Sequence, residues 1–305
     1  MVADNVRPMT AAATVYDLDA RRPVLPFKTQ LLKWIGNKQR FAHEIAGYLP
    51  PLDGGTYWEP FLGSAAVLGT LQPGRAVGSD GFLPLIGIWQ MLHDDVGTLL
   101  DWYTERWERY DAAADRREAY EEIKASYNAG PNPADLLFLS RSCYGGVVRF
   151  RAADGYMSTP MGVHKPVNPD SFTKRAKLWR ERTAGATFEH LDYREAFARM
   201  QPGDAVYCDP PYTHTQTILY GAQRFDLQDL FACIADAKQR DVKVALSIDG
   251  SKVTNSDELL HVGIPDGVFE REVLVNVGRS MLKRFQMEGR SLESHVVTDR
   301  LLLTY

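Results

Sequence analysis

The sharpest chemical feature of the chain is the tetrapeptide Asp209-Pro210-Pro211-Tyr212, which follows the apolar run Ala205-Val206-Tyr207-Cys208. These residue types suit one difficult task, making an aromatic amine react. The lone pair of such an amine is delocalised into its ring, so the amine is a poor nucleophile. Two acceptors set on its N–H bonds pull the nitrogen toward a tetrahedral geometry. The Asp209 carboxylate supplies one acceptor and the backbone carbonyl of Pro210 the other. Consecutive prolines fix φ and bring no competing N–H, so the loop stays stiff. Tyr212 offers a ring face on which a flat base can stack. A methyl held in line on a sulfonium is then a suitable electrophile. A strand running into a proline-rich turn accounts for Asp-Pro-Pro alone, but poorly for the whole motif at a strand end.

Three weaker features stand upstream. In Glu59-Pro60-Phe61-Leu62-Gly63-Ser64-Ala65, Gly63 at a strand-to-helix turn lets the backbone approach a ligand closely. Asp80 closes the next strand, where an acid can take the hydroxyls of a nucleoside. In Leu32-Lys33-Trp34-Ile35-Gly36-Asn37-Lys38, lysine and tryptophan near a glycine can pair with a carboxylate and cover an apolar edge. Taken singly, these read as a tight turn, a solvated acid and a surface loop.

The surrounding elements place these features at strand ends. A loop runs into a helix ending at Leu49, before Pro50-Pro51. A short strand at 57–60, an apolar helix to about Leu71 and a strand at 75–79 form a βαβ unit. Residues 84–128 read as amphipathic helix, with Leu99, Trp102, Tyr103, Trp107 and Tyr110 on a three- to four-residue spacing. After the Gly130-Pro131-Asn132-Pro133 break and an apolar run at 136–139, residues 144–163 read as a β-hairpin turning at Ala153-Asp154-Gly155. Residues 170–184 read as a basic helix. Strands near 187–191, 204–208, 242–248, 271–277 and 296–305, with a helix at about 226–240, complete a mostly parallel sheet covered by helices on both faces.

Composition restricts the class. Hydrophobic residues make up 45% and charged residues 24% of 305, ordinary for a soluble globular protein. No apolar run is long enough for a membrane span, and no signal peptide is expected. The three cysteines, Cys143, Cys208 and Cys233, are odd in number and far apart, which predicts a reduced, cytoplasmic protein without disulfides or a metal centre. The net charge of −4 disfavours a polyanionic partner, but charge is unevenly spread: residues 141–184 hold nine Lys/Arg against three acids, a local +6. A basic surface on an acidic body suits one-sided grip on a polyanion.

Together the four motifs, in this order, resemble the Dam-type DNA adenine N6-methyltransferases, the D12 class or alpha group of amino-methyltransferases. The resemblance covers nearly the whole chain after residue 27. It implies a Rossmann-like, S-adenosylmethionine-dependent methyltransferase sheet, discontinuous at 27–86 and 185–305. A helical and hairpin target-recognition domain at 87–184 is inserted, and 1–26 is a flexible lead-in. It implies that S-adenosylmethionine is bound by Trp34, Lys38, Phe61, Gly63, Asp80, Asp192 and Asp209. Asp209, Pro210, Pro211 and Tyr212 act on N6 of an adenine flipped from double-stranded DNA. The segment Ser142–Phe150 resembles the family's DNA-contacting hairpin. Tyr144 carries over as the wedge that fills the space left by the base, Arg149 as a DNA contact, and Arg151 and Lys165 as its extension. The chain departs from the family pattern at Ala65, where a second glycine is usual, at Gly81-Phe82, where an asparagine follows the ribose acid, and at Gly145. The expected enzyme is monomeric, with no obligate protein partner. The rivals are N4-cytosine methylation, where Ser more often replaces the Asp, glutamine methylation, where the motif begins with Asn, and a catalytically silent DNA-binding protein of the same fold.

Overall fold

The computed structural model describes residues 21–151, 153–211, 225–249, 263–278 and 297–305. In chain order the elements are α1 (Ala42–Tyr48), β1 (Tyr57–Glu59), α2 (Ala66–Leu71), β2 (Ala76–Asp80), α3 (Leu83–Asp94), α4 (Val96–Ala112), α5 (Arg116–Ala129), α6 (Pro133–Ser142), α7 (Pro169–Arg182), β3 (Ala186–His190), α8 (Tyr193–Arg199), β4 (Ala205–Cys208), α9 (Leu227–Gln239), β5 (Lys243–Asp249), β6 (Arg271–Gly278) and β7 (Val297–Leu303).

The strands form one sheet in the order β3-β2-β1-β4-β5-β7-β6. The first five are parallel neighbours, and β7 runs antiparallel to both β5 and β6. Both faces are covered, so the strands alternate between two cores rather than between core and water. Tyr57, Tyr207 and Ala245 enter the core shared with α1 to α7, while Trp58, Val206, Cys208, Val244 and Leu246 enter the core shared with α8 and α9. This is the expected Rossmann-like α/β arrangement. Its winding reverses between β1 and β4, and open α/β sheets form a crevice beyond the carboxyl ends of strands at such a point. Asp204 ties the other end of that junction: its carboxylate accepts from the Thr56 and Gln201 backbone N–H groups and from Trp58 Nε1, at 2.8, 2.9 and 2.8 Å.

The helical stretch at 84–128 is three helices, because Asp95 and Asp115 each cap a new N-terminus with their side chains. The apolar run at 136–139 lies inside α6, a helix buried on every side, with Asn132 as cap and Pro133 in its first turn. Burial all round erases the 3.6-residue pattern, so the run carried no period to read. α3 lies on the sheet: Trp89 stacks on Phe188 of β3 with ring centroids 5.6 Å apart, and its Nε1 donates to the Gly63 carbonyl. The lead-in is only partly described. Within it, Arg22 N–H donates to the Gly47 carbonyl at 3.0 Å.

The stretch at 144–163 differs from a regular hairpin. Tyr144–Gly146 forms a 3-10 turn, and only two isolated bridges, Cys143 with Met161 and Phe150 with Met157, join its arms among the described residues. Gly145 and Gly146 sit at φ +65° and +67°, which breaks strand geometry. Between the bridges the Thr159 hydroxyl substitutes for the ladder, accepting from Arg149 N–H and donating to the Val147 carbonyl.

Candidate active site

At the switch point a cleft opens beyond β1 and β4, spanning about 1070 Å³ with its open mouth included. Its walls include Trp34, Lys38, Phe61, Gly63, Asp80, Asp192 and the stretch Asp209-Pro210-Pro211. Five separate segments of sequence thus meet around one space. Tyr212 lies outside the described residues.

The floor is electrostatic. Lys38 Nζ lies 3.0 Å from Asp209 Oδ1, with the lysine buried and the aspartate partly open to the cleft. Beside them is Glu59, the last residue of β1, 3% exposed. Burial pushes its carboxyl up to about 8; the Tyr57 hydroxyl, donating at 2.6 Å, and the Leu68 N–H hold it back, and the Asp209 charge adds to the rise. The Leu68 group belongs to the first turn of α2, whose free N–H groups favour an acid. The motif alone assigns Glu59 no role. A glutamate at the end of an apolar strand is conspicuous, and that was the signal available.

Asp80, the last residue of β2, uses both oxygens to fix the cleft's loops. Gly63 N–H donates to Oδ2 at 3.1 Å and Phe82 N–H to Oδ1 at 3.0 Å. Desolvation still raises its carboxyl to about 6. Gly63 sits at φ +49° with Trp34 packed over it, so a Cβ there would lie 3.2 Å from the indole. Ala65, two residues on, also has φ +53°, a conformation strained for any residue but glycine. The opposite wall is aromatic. Phe61, Tyr193 and Phe225 stand with ring centroids 5.3 to 5.9 Å apart. Asp192 caps α8 there in a capping box with Glu195. Phe225 escaped the sequence reading, because nothing local marks it as part of a site.

A family model described as D12 class N6 adenine-specific DNA methyltransferase matches residues 34–265 of the 305. The chain belongs to this family. Similar proteins include the retron Ec67 DNA adenine methylase of Escherichia coli, 31% identical over 191 residues, covering 61% of this chain and 64% of that one. The DNA adenine methylase of Vibrio cholerae serotype O1 is 28% identical over 230 residues, covering 71% and 79%. The DNA N-6-adenine-methyltransferase of Escherichia phage P1 is 25% identical over 252 residues, covering 79% of this chain and 32% of the phage protein. The match therefore spans just under two thirds of the retron protein's length. Among solved structures, the rRNA methyltransferase AviRa of Streptomyces viridochromogenes overlays with a TM-score of 0.35 at 12% identity, over 87% of this chain and 84% of that one.

The basic window of this D12-class methyltransferase divides into two kinds of cation. Arg141, Arg175 and Arg182 are staples: Arg141 donates to the Leu31 carbonyl at 2.7 Å, Arg175 to that of Gln30, and Arg182 to that of Gly69 at 2.6 Å. The remaining six side chains, including Arg149, Arg151 and Lys165, are exposed. Arg151 pairs with Asp154 at 2.6 Å and lies over the Tyr156 ring, and Lys165 pairs with Asp111. Tyr144 is 44% exposed. The surface charge is thus smaller than the count along the chain implies, because three cations point inward and two sit against acids.

Proposed function

We propose that this methyltransferase takes its methyl group from S-adenosylmethionine held in the switch-point cleft and delivers it to N6 of an adenine swung out of duplex DNA. The meeting of Lys38, Glu59, Asp80 and Asp209 around one cleft at the ends of β1, β2 and β4 carries the reading. The residues fit the donor. Acids face the place where a cationic amino acid would lie, and a glycine and an aromatic wall leave room for a flat base. Glu59 and Asp209 would hold the ammonium, Lys38 and Trp34 the carboxylate end, Asp80 the ribose, and Phe61, Tyr193 and Asp192 the adenine. When bound, S-adenosylmethionine supplies an electrophilic methyl on sulfur.

Asp209 and the Pro210 carbonyl orient the target amine by accepting its N–H bonds, and Lys38 on Oδ1 fixes the rotation of the carboxylate. Stiff prolines keep both acceptors in register, so little reorganisation remains for the reaction. A direct transfer needs no protein nucleophile. Cys208 supports this: it is fully buried, and burial pushes its thiol well above the ordinary range. The same reading assigns 27–86 and 185–305 to catalysis and 87–184 to recognition by a monomer, with Tyr144 and Arg149 facing DNA.

Transfer of labelled methyl from S-adenosylmethionine to unmethylated plasmid DNA, followed by nucleoside analysis, tests the proposal. N6-methyladenine from the wild type and none from Asp209→Ala is the expected outcome. Cofactor binding without any methylated base on DNAs of varied sequence would overturn it.

A further inference from the structure

Phe82 occupies a position between the cleft and the hairpin that the reaction alone does not explain. It lines the cleft, and its ring tilts against Trp34 with centroids 6.0 Å apart. The Phe150 ring also meets it edge-on, at 5.4 Å and 63°. Phe150 belongs to the hairpin and is buried, while its neighbour Arg149 is exposed. One arm therefore shows a cation outward and presses an aromatic ring onto a cleft residue inward. The backbone of Phe82 is engaged as well, its N–H donating to Asp80 Oδ1 at 3.0 Å. A second contact lies close by. Gly146 at the hairpin's base approaches Lys33, so that a Cβ there would sit 2.5 Å from Lys33 Cδ, and Lys33 precedes Trp34.

We infer that Phe82 is a positioning residue that couples DNA held on the hairpin to the nucleoside held in the cleft. The inference rests on the function proposed above. A pull on the outer face of the hairpin shifts Phe150, Phe150 bears on Phe82, and Phe82 carries the N–H that orients Asp80. A ligand fixing Asp80 and Trp34 acts along the same contacts in reverse. Linkage makes the effect reciprocal: DNA must change nucleoside affinity by the factor by which the nucleoside changes DNA affinity.

The test measures binding. The dissociation constant of S-adenosylhomocysteine is determined by calorimetry with and without saturating unmethylated linear plasmid DNA, for the wild type, Phe82→Leu, Phe82→Tyr and Phe150→Leu. The wild type should show a change of about five-fold or more, the usual lower range of coupling. Phe82→Leu and Phe150→Leu should bring that ratio within about two-fold of one, and Phe82→Tyr should restore it. A merely structural role would weaken both measurements alike and leave the ratio unchanged. Phe150 does not line the cleft, so its variant serves as an independent check should Phe82→Leu unfold. A wild-type ratio of one in an enzyme that methylates DNA, or a wild-type ratio kept in both leucine variants, overturns the inference alone. Failure of the wild type to bind the nucleoside or to methylate DNA sinks the underlying reading and the inference with it.

Discussion

Glu59→Gln separates what the fold needs from what the ligand needs. In the folded protein burial raises the Glu59 carboxyl from its ordinary 4.5 to about 8. Between those values the unfolded chain has released a proton that the folded chain still holds. Stability therefore falls as pH rises, by about 1.36 kcal/mol per unit. The contribution is fully present below about pH 4.5 and lost as pH passes about 8. Three to four units at that slope is on the order of 4 kcal/mol. Glutamine copies the neutral acid, and the Tyr57 hydroxyl, a donor and an acceptor, serves either form. The variant should match the wild type within about 1 kcal/mol at pH 5 and exceed it by about 3–4 kcal/mol at pH 9, since it escapes the ionisation penalty. Urea midpoints across pH 5–9 read this directly. At a slope of about 3 kcal/mol per molar the two proteins should diverge by about 1 M at the alkaline end. Midpoints that move in parallel over the whole range would refute the argument. The same variant should bind S-adenosylhomocysteine about 10- to 100-fold more weakly, the worth of one hydrogen bond to a charged group. Stability gained together with affinity lost is the signature of an acid kept for its ligand.

Asp209→Asn keeps the shape of the motif but removes the charge opposite Lys38, and the rate of methyl transfer should fall about 10²- to 10³-fold, as for loss of one preorganised electrostatic partner; single-turnover assays check it. Ala65→Gly should stabilise the protein by about 0.5–1 kcal/mol in denaturant melts, because φ +53° is strained for alanine and free for glycine, less the added entropy of the unfolded chain. Arg149→Ala should reduce the salt dependence of DNA binding by about one ion, whereas Arg151→Ala, already opposite Asp154, should change it far less; titrations at several salt concentrations distinguish them.

The parts of the site visible in the sequence were those whose residue types are unusual for their local structure. An aspartate before two prolines, a glycine turn after a strand and an acid at a strand end are each odd enough to notice, and the parallel sheet brings strand ends together. Glu59 and Phe225 were not legible as site residues, because their roles come from partners distant in sequence: Asp209 beside one, and Phe61 and Tyr193 beside the other. The basic window misled in the opposite direction. A count along the chain has no direction, and the guanidinium groups of Arg141, Arg175 and Arg182 turn inward to carbonyls. The hairpin was legible as a reversal, but not as one held by the Thr159 hydroxyl, since such side-chain bonds compete with the ladder only where local geometry permits.

The charge balance of the cleft argues for the kind of ligand it takes. Four acids line the cleft with one lysine, and three of them, Glu59, Asp80 and Asp209, are the more desolvated, Asp192 being half open to solvent. Fully ionised they would leave an excess of negative charge where solvent screens poorly. Glu59 and Asp80 answer by keeping protons to about pH 8 and 6. Asp209, paired to Lys38 at 3.0 Å, is the acid the target amine requires. A ligand bringing positive charge beside Glu59 would let that carboxyl ionise and would recover the burial cost built into β1. Binding should therefore release a proton near neutral pH, and a neutral ligand of the same shape would lack that gain. A cleft arranged in this way favours a cation over its uncharged analogue before any hydrogen bond to the base is counted.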